Sequence, residues 1–156
     1  MKLFHILDVD LLMNYLLASD VFDSFYVRQA DLCTLFRIRM DGKRNPDWGE
    51  EEQSEDLKWK EIKPYVFERI KGNQLPRFLR VELFLPVEEY QSLFAKMDIE
   101  VKDLEQVHIK LSYENKTATV TTGISSSTFS LDREPEHNWD ETVGSFLKKM
   151  KIAWEE

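Results

Sequence analysis

The chain has 156 residues, 42% of them hydrophobic, and a formal net charge of −8 at neutral pH. This length suits one domain with its own core, so we predict a single domain over residues 1–156 that needs no disulfide or metal for stability. The one cysteine, Cys33, excludes an internal disulfide. Asp8 and Asp10 interrupt the apolar run that a signal peptide would need, and no stretch reaches membrane-spanning length. These features predict a cytoplasmic protein that does not associate with a membrane.

Acidic and basic residues are segregated along the chain. Residues 46–56 carry six acidic side chains and no basic one, whereas residues 58–80 carry a net charge of +5. Because the whole chain is negative, we expect no specific binding to nucleic acid. We predict an acidic loop at about 43–56, and two roles for it remain open. Either it neutralises the neighbouring basic groups, or the basic segment binds an external anion.

The first two predicted elements are a strand and a helix. Apolar residues in Lys2–Leu7 predict a short strand. Leucines and a tyrosine then recur at helical spacing, which predicts a helix over Val9–Ser19. The side chain of Asp8 or Asp10 caps this helix, because a carboxylate accepts hydrogen bonds from the N–H groups that the first turn leaves free.

From Phe25 onwards the hydrophobic period changes to two, which predicts a hairpin with one buried face. We place its turn near Asp31 and its second strand at Thr34–Met40, ended by the turn residues Asp41 and Gly42. Arginines share the outer face of this hairpin, where like charges repel unless a negative group lies between them. The acidic loop or an external anion would supply that group. These candidate anion-binding residues are Arg28, Arg37 and Arg39.

A helical segment and a strand follow the acidic loop. Pro64 interrupts an apolar helical pattern, so we predict a short helix before it and a second helix that starts at it. Gly72 suits a helix end, and the chain then continues into a strand up to Leu85. A phosphate-binding loop would place its glycines before a helix, so this corner has the wrong geometry for one. Its basic residues are further candidates for anion binding: Lys71, Arg77 and Arg80.

The C-terminal half alternates between helices and strands. Pro86–Met97 is predicted to be a helix, and 107–113 and 117–131 are predicted to be strands that a tight turn joins at Asn115. Asn138 caps a final helix. Strands that hairpins connect predict an α+β fold with a mostly antiparallel sheet and helices on one face. The apolar stripe of the final helix consists of Trp139, Val143, Phe146, Leu147, Met150 and Trp154.

Four segments carry a resemblance that spans nearly the whole chain. They are SDVFDSF at 19–25, PYVFERIKGNQLPRFLRVELFL at 64–85, TTGISSSTFSLD at 121–132 and EHNWDE at 136–141. In these segments the chain resembles a family of uncharacterised bacterial proteins, a domain-of-unknown-function family. The resemblance implies a compact bacterial domain and supplies no functional residues.

The order of the elements is also similar to that of a single sliding-clamp domain. Clamp helices present basic residues to DNA, whereas the first helix here has none and Pro86–Met97 has only Lys96 against two glutamates. This resemblance implies a clamp-like fold that lacks the DNA-facing surface. A shared fold does not by itself assign a function.

The sequence contains no recognisable catalytic constellation. The three histidines, His5, His108 and His137, lack the i, i+4 spacing of a helical zinc site, so we predict no metal centre and no cofactor. Cys33 is predicted to be an idle thiol at the hairpin turn, and His108 is predicted to lie on a solvated strand face. Residues 117–130 are rich in hydroxyl groups, which suits either a solvated strand face or a hydroxyl-lined ligand groove.

Three functional hypotheses follow from these observations. The first is a non-catalytic domain that binds an unknown protein partner. The second is an enzyme or small-anion-binding protein that uses the arginine cluster or the hydroxyl-rich strands. The third is a clamp-like, nucleic-acid-associated protein that acts weakly through residues 58–80. A flat apolar patch would favour the first, a pocket with convergent polar groups the second, and a continuous basic stripe the third.

Overall fold

A computed structural model of the chain describes residues 1–48, 54–72, 75–93, 104–127, 129 and 131–156. The described elements follow the order β1 (Leu3–Ile6), α1 (Val9–Ala18), β2 (Tyr26–Cys33), β3 (Arg37–Met40), α2 (Trp59–Ile70), β4 (Phe78–Pro86), α3 (Val87–Leu93), β5 (Leu104–Glu114), β6 (Thr117–Ser126), α4 (Glu134–Lys149) and β7 (Trp154–Glu155). Parts of four predicted segments lie outside the described residues: 49–53 of the acidic loop, 73–74 of the basic segment, 94–97 of the helix at Pro86–Met97, and 128 and 130 of the hydroxyl-rich stretch. None of the helices in the described ranges is long and apolar enough to cross a membrane.

Within the described residues, the strands form one antiparallel sheet in the order β3-β2-β4-β5-β6-β1-β7. Tight turns connect β2 to β3 and β5 to β6. Asn115 and Lys116 both adopt positive φ angles between β5 and β6, which confirms the predicted turn there. The predicted α+β class with a mostly antiparallel sheet is therefore confirmed.

One face of the sheet belongs to the core and the other carries polar side chains. In the central strand β4, Val81 and Leu83 are buried on the inner face, whereas Arg80 and Glu82 lie on the outer face. Helices cover the inner face, because the apolar stripes of α1, α2 and α4, together with Tyr90 of α3, join the same core. The buried side chains of the three stripes are Leu12, Leu16, Trp59, Ile62, Val66, Trp139, Val143 and Leu147.

Two local predictions near the first hairpin are confirmed. The Asp8 carboxylate accepts a hydrogen bond from the Leu11 N–H at 3.2 Å, so Asp8 caps α1. Gly42 ends β3 with a φ of 72°, and a side chain at this position would collide with the Val27 carbonyl. A glycine is therefore required by both the backbone angle and the close approach of β2.

The first hairpin turns later than the sequence predicts. Asp31 lies inside β2, and the turn is at residues 34–36. β2 extends past the aspartate because Leu32 fills the core on one face, while arginines neutralise the carboxylate on the other. The second strand accordingly starts at Arg37 and not at Thr34.

α2 is one continuous helix, so the prediction of two helices is wrong. Pro64 lies inside it, and the N–H that proline lacks would have donated to the Lys60 carbonyl. Both residues are exposed, so water can replace the missing donor. Trp59 and Val66 are buried on either side of the proline and hold both halves of the helix against the core. Gly72 follows the helix with a φ of 79°, which confirms the predicted helix end.

α4 begins at Glu134, earlier than the predicted cap at Asn138. Pro135 lies in its first turn, where proline costs no hydrogen bond. Acidic residues in the first turn and lysines in the last one complement the helix dipole. Trp154 lies beyond the helix in β7, where the chain has turned back onto the sheet. The part of the predicted stripe that is buried in α4 consists of Trp139, Val143 and Leu147.

Candidate functional site

The outer face of the sheet carries a cluster of arginines around one buried carboxylate. Asp31 of β2 exposes only 4% of its surface. Arg37 donates two hydrogen bonds to it, from Nε to Oδ1 at 2.9 Å and from Nη2 to Oδ2 at 2.6 Å. Arg39 is a looser second partner, because its Nη2 lies 3.6 Å from the same Oδ2. The carboxylate therefore holds Arg37 in a fixed orientation and leaves Arg39 less constrained.

Strand register brings these charges together. Asp31 lies directly opposite Arg39 of β3 and opposite Arg80 of β4. The hydrogen bonds from Arg37 lower the pKa of Asp31, and the charges of Arg39 and Arg80 add to this effect, although burial acts in the opposite direction. Asp31 is thus negatively charged at neutral pH and separates the like charges of the arginines.

The negative group beside these arginines is neither of the two that the sequence suggested, the acidic loop and an external anion. Of the acidic loop, Asp56 lies 2.8 Å from the Lys43 ammonium group and Glu55 lies 4.0 Å from it. Residues 50–52 lie outside the described part of the chain. The negative group beside the hairpin arginines is Asp31 of β2, which the sequence had placed in a turn.

The structure brings together three of the six predicted anion-binding residues, Arg37, Arg39 and Arg80. The Arg80 guanidinium lies over the Phe78 ring, 4.2 Å from its centroid, and its Nη2 lies 3.2 Å from the Glu114 carboxylate. Arg80 is therefore already paired with an acidic side chain and stacked on an aromatic one.

In the described part of the chain, no hydrogen bond or ion pair links the side chains of the other three predicted residues to this cluster. Arg28 lies at a bulge in β2, between Val27 and Gln29, and its Nη2 donates to Gln106 Oε1 at 2.8 Å. Lys71 pairs with Glu68 one helical turn away. Arg77 is exposed just before β4. The predicted residues therefore do not form a single anion site.

A groove of about 1250 Å³ opens between β3 and α2 on the inner side of the sheet. One wall is β3, whose apolar residues point into it, and the other wall is α2, from which Tyr65 projects with 72% of its surface exposed. Sequence reasoning missed this groove. The alternation of apolar residues with arginines in β3 indicated an apolar face, but it did not indicate that α2 lies opposite this face. Its apolar lining includes Leu32, Ile38, Met40, Leu57, Ile62 and Tyr65.

β3 forms one edge of the sheet and presents unpaired backbone groups beside this groove. The turn before it closes with a hydrogen bond from the Thr34 N–H to the Phe36 carbonyl at 3.1 Å. In an antiparallel ladder, hydrogen-bonded pairs alternate with pairs that are not hydrogen-bonded. Counting from this bond, Arg37 and Arg39 direct their backbone N–H and C=O groups away from β2. Among the described residues, no other backbone group pairs with them.

Most charged groups at the rim of the groove already have partners. Arg44 donates to the Glu61 carboxylate at 2.8 Å. Burial raises the pKa of Glu61, but hydrogen bonds from the Lys58 N–H and from Arg44 outweigh this effect and lower it. Arg69 lies over the ring of Phe36, 5.9 Å from its centroid. The groove thus combines apolar walls with a rim of fixed charges.

A histidine and a serine form a second polar feature in the middle of the outer face. His108 Nε2 lies 2.6 Å from Ser125 Oγ. Burial lowers the pKa of His108, and the charge of Arg28 lowers it further, so the imidazole is neutral at neutral pH. A hydroxyl and an imidazole are two of the groups that nucleophilic catalysis requires, but in the described residues no side chain is hydrogen-bonded to the other ring nitrogen of His108 to orient it. In the described part of the chain, no three His, Cys, Asp or Glu side chains are grouped so that they could hold a metal ion.

Comparisons with known proteins place the chain in one family. A search of curated proteins and a search of solved structures found no match. The clamp-like fold therefore stays a prediction. A family model described as "Family of unknown function (DUF5721)" matches residues 15–155, which is nearly the whole chain. The chain therefore belongs to this family of unknown function.

Proposed function

We propose that this protein is a non-catalytic interaction domain that binds an extended peptide segment as an additional strand at β3. The proposal depends on one observation, the unpaired edge of β3 beside an apolar groove. The outward N–H and C=O groups of Arg37 and Arg39 bind the peptide backbone. The groove accepts alternate side chains of the peptide, which is how strand addition gains specificity.

Strand geometry explains why the edge and the groove act together. A strand added beside β3 directs its side chains alternately to the two faces of the sheet. On the inner face these side chains meet Ile38 and Met40 of β3 on one side and Ile62 and Tyr65 of α2 on the other. Because α2 stands opposite the strand, the inner side chains of the peptide become buried between a strand and a helix.

The other hypotheses receive less support from the geometry. Arg37 and Arg80 already bind carboxylates, and Arg28 already binds an amide oxygen, so the predicted residues do not converge on an open anion site. In the basic segment, Lys71 pairs with Glu68, which reduces the positive charge available to a continuous basic stripe. We further infer a cytoplasmic, bacterial protein, which the single half-buried thiol and the family resemblance support.

Short synthetic peptides provide a direct test. Each probe alternates valine with glutamate, glutamine or lysine and carries fluorescein, an acetylated N-terminus and an amidated C-terminus. N-methyl groups on the valines block one edge of each probe and leave the other free to pair, so the probes cannot assemble into extended sheets. Fluorescence anisotropy during titration with the full chain measures binding. If none of the three probes binds the wild type, strand addition is excluded for ligands of this pattern and the proposal fails.

Two substitutions at one position isolate the backbone contact. Arg39→Pro and Arg39→Ala both lose the guanidinium, but only Arg39→Pro also loses the outward N–H. Proline is tolerated on an edge strand when its nitrogen faces away from the ladder. We expect Arg39→Pro to bind the tightest probe about tenfold more weakly than Arg39→Ala. Equal affinity of the two variants, measured where both are folded by circular dichroism, would refute strand addition.

Two exposed aromatic residues of α2 provide a matched test of the groove. Tyr65 lines it, whereas Phe67 does not. We expect Tyr65→Ala to weaken binding about fivefold, because the bound peptide buries part of the ring. Phe67→Ala should leave the affinity unchanged. An equal effect of both substitutions would place the bound peptide elsewhere.

A further inference from the structure

We infer that the partner strand at β3 alternates apolar with acidic residues, and that one acidic side chain pairs with Arg39. This inference rests on the proposed function and adds the chemical class of the ligand. It follows from the two faces of β3: the apolar side chains of Ile38 and Met40 point into the groove, whereas Arg37 and Arg39 belong to the outer face, and Arg39 also borders the groove.

The outer face of the edge carries excess positive charge. Three arginines, Arg37, Arg39 and Arg80, surround Asp31, and Glu114 pairs with Arg80. Two carboxylates therefore face three guanidinium groups. A ligand carboxylate that lies opposite β3 on this face balances the remaining charge.

Arg39 is the arginine best placed to receive that carboxylate. Arg37 is committed to Asp31 by two short hydrogen bonds. The Arg39 side chain is 58% exposed, and its distance of 3.6 Å to Asp31 is too long for a strong hydrogen bond. Its guanidinium thus keeps donors for a new partner.

The backbone register puts the ligand side chain in the right place. Arg39 directs its N–H and C=O outwards, so in a ligand strand that runs antiparallel to β3 the residue directly opposite forms a hydrogen-bonded pair with it. Directly opposite residues point to the same face of the sheet, with Cβ atoms about 5.5 Å apart in such a pair. The ligand residue opposite Arg39 therefore projects from the outer face, and its neighbours in the ligand enter the groove.

The same arginines disfavour a second copy of this chain as the partner. If two β3 edges paired antiparallel, arginines of one copy would face arginines of the other across the new ladder. Like charges directly opposite destabilise such a pair. An acidic strand gains from the same residues, so the edge selects for a different chain.

The glutamate, glutamine and lysine probes test directly whether the edge prefers acidic residues in the ligand. They share one backbone and one set of valines, so affinity differences report only the outer-face residues. We expect the glutamate probe to bind about fivefold more tightly than the glutamine probe at low salt, and the lysine probe to bind weakest. The difference should shrink as salt is added. Equal affinities of the three probes would refute the inference while leaving strand addition intact.

Charge reversal identifies the residue that recognises the charge of the ligand. Arg39→Glu should prefer the lysine probe to the glutamate probe, which reverses the wild-type order. Arg28→Glu is the matched control, because Arg28 lies on the same face but binds Gln106 and does not border the groove. It should keep the wild-type order. If Arg39→Glu keeps that order, or if Arg28→Glu reverses it, the assignment to Arg39 is wrong.

Discussion

The two edges of the sheet, β3 and β7, are built differently. β7 is only two residues long, and Trp154 in it packs edge-on against Phe4, with ring centroids 4.7 Å apart. Beside it, Lys2 and Glu156 form an ion pair at 2.8 Å. β3 is longer, and its apolar face borders an open groove.

This difference distinguishes an edge that ends the sheet from one that can be extended. Exposed edges attract other strands, and proteins commonly prevent this with short strands or charged residues. β7 is short and offers few unpaired groups. β3 is charged on one face only, so it repels a copy of itself but leaves an apolar face for a suitable partner. Substitutions at β7 should therefore mainly reduce stability, whereas substitutions of exposed residues at β3 and its groove should mainly reduce binding.

The largest effect on stability is expected at the short edge. Trp154→Ala removes the ring that packs on Phe4 and should lower the free energy of unfolding by about 3 kcal/mol. Its counterpart at the open edge is Trp48→Ala, because Trp48 lines the groove and is 81% exposed. This second change should stay within about 0.5 kcal/mol. Urea unfolding followed by circular dichroism measures both, and a greater loss from Trp48→Ala would contradict the comparison.

An intermediate effect is expected for the carboxylate behind the open edge. Asp31→Asn keeps the shape of the side chain but removes the charge that holds Arg37, so we expect a loss of about 2 kcal/mol. Glu114→Gln breaks the more exposed pair with Arg80 and should cost only about 0–1 kcal/mol. Similar losses from the two substitutions would show that Asp31 has no special role in supporting β3.

The pH dependence of stability checks the same assignment. Folding lowers the pKa of Asp31 below its ordinary value of 3.8. The stabilisation is therefore fully present above that value, and it is lost as the pH falls through the lower folded pKa, because the unfolded chain binds the proton first. The difference in stability between wild type and Asp31→Asn should shrink below about pH 4. A difference that stays constant in acid would mean that the ionised carboxylate is not what stabilises the hairpin.

The smallest effect is expected in the middle of the sheet, away from both edges. Folding lowers the pKa of His108 below its ordinary value of 6.5, chiefly through burial. As the pH falls below 6.5, the unfolded chain takes up the proton first and stability declines. His108→Gln should remove this part of the decline, whereas His5→Gln, at an exposed position on the same face, should retain it. Identical pH profiles for His108→Gln and wild type would contradict this assignment.

Local patterns of the sequence predicted most of the elements. The alternation in β4 predicted that Leu79, Val81, Leu83 and Leu85 share one buried face, because successive residues of a strand face opposite sides. Asp8 predicted the start of α1, and Gly72 predicted the end of α2. Each of these signals acts within a few residues of the chain. Asp31 escaped the same reasoning because its partners Arg39 and Arg80 come from other strands.

The sequence by itself determined an antiparallel α+β protein with one apolar and one polar sheet face, because strand period and helix caps are properties of neighbouring residues. Only the tertiary structure decided the order of the strands, since β1 pairs with β6 from the other end of the chain, as in Leu3 opposite Thr121. That order makes β3 an edge. The groove exists because α2 packs beside this edge, and no local pattern encodes such a contact between distant segments.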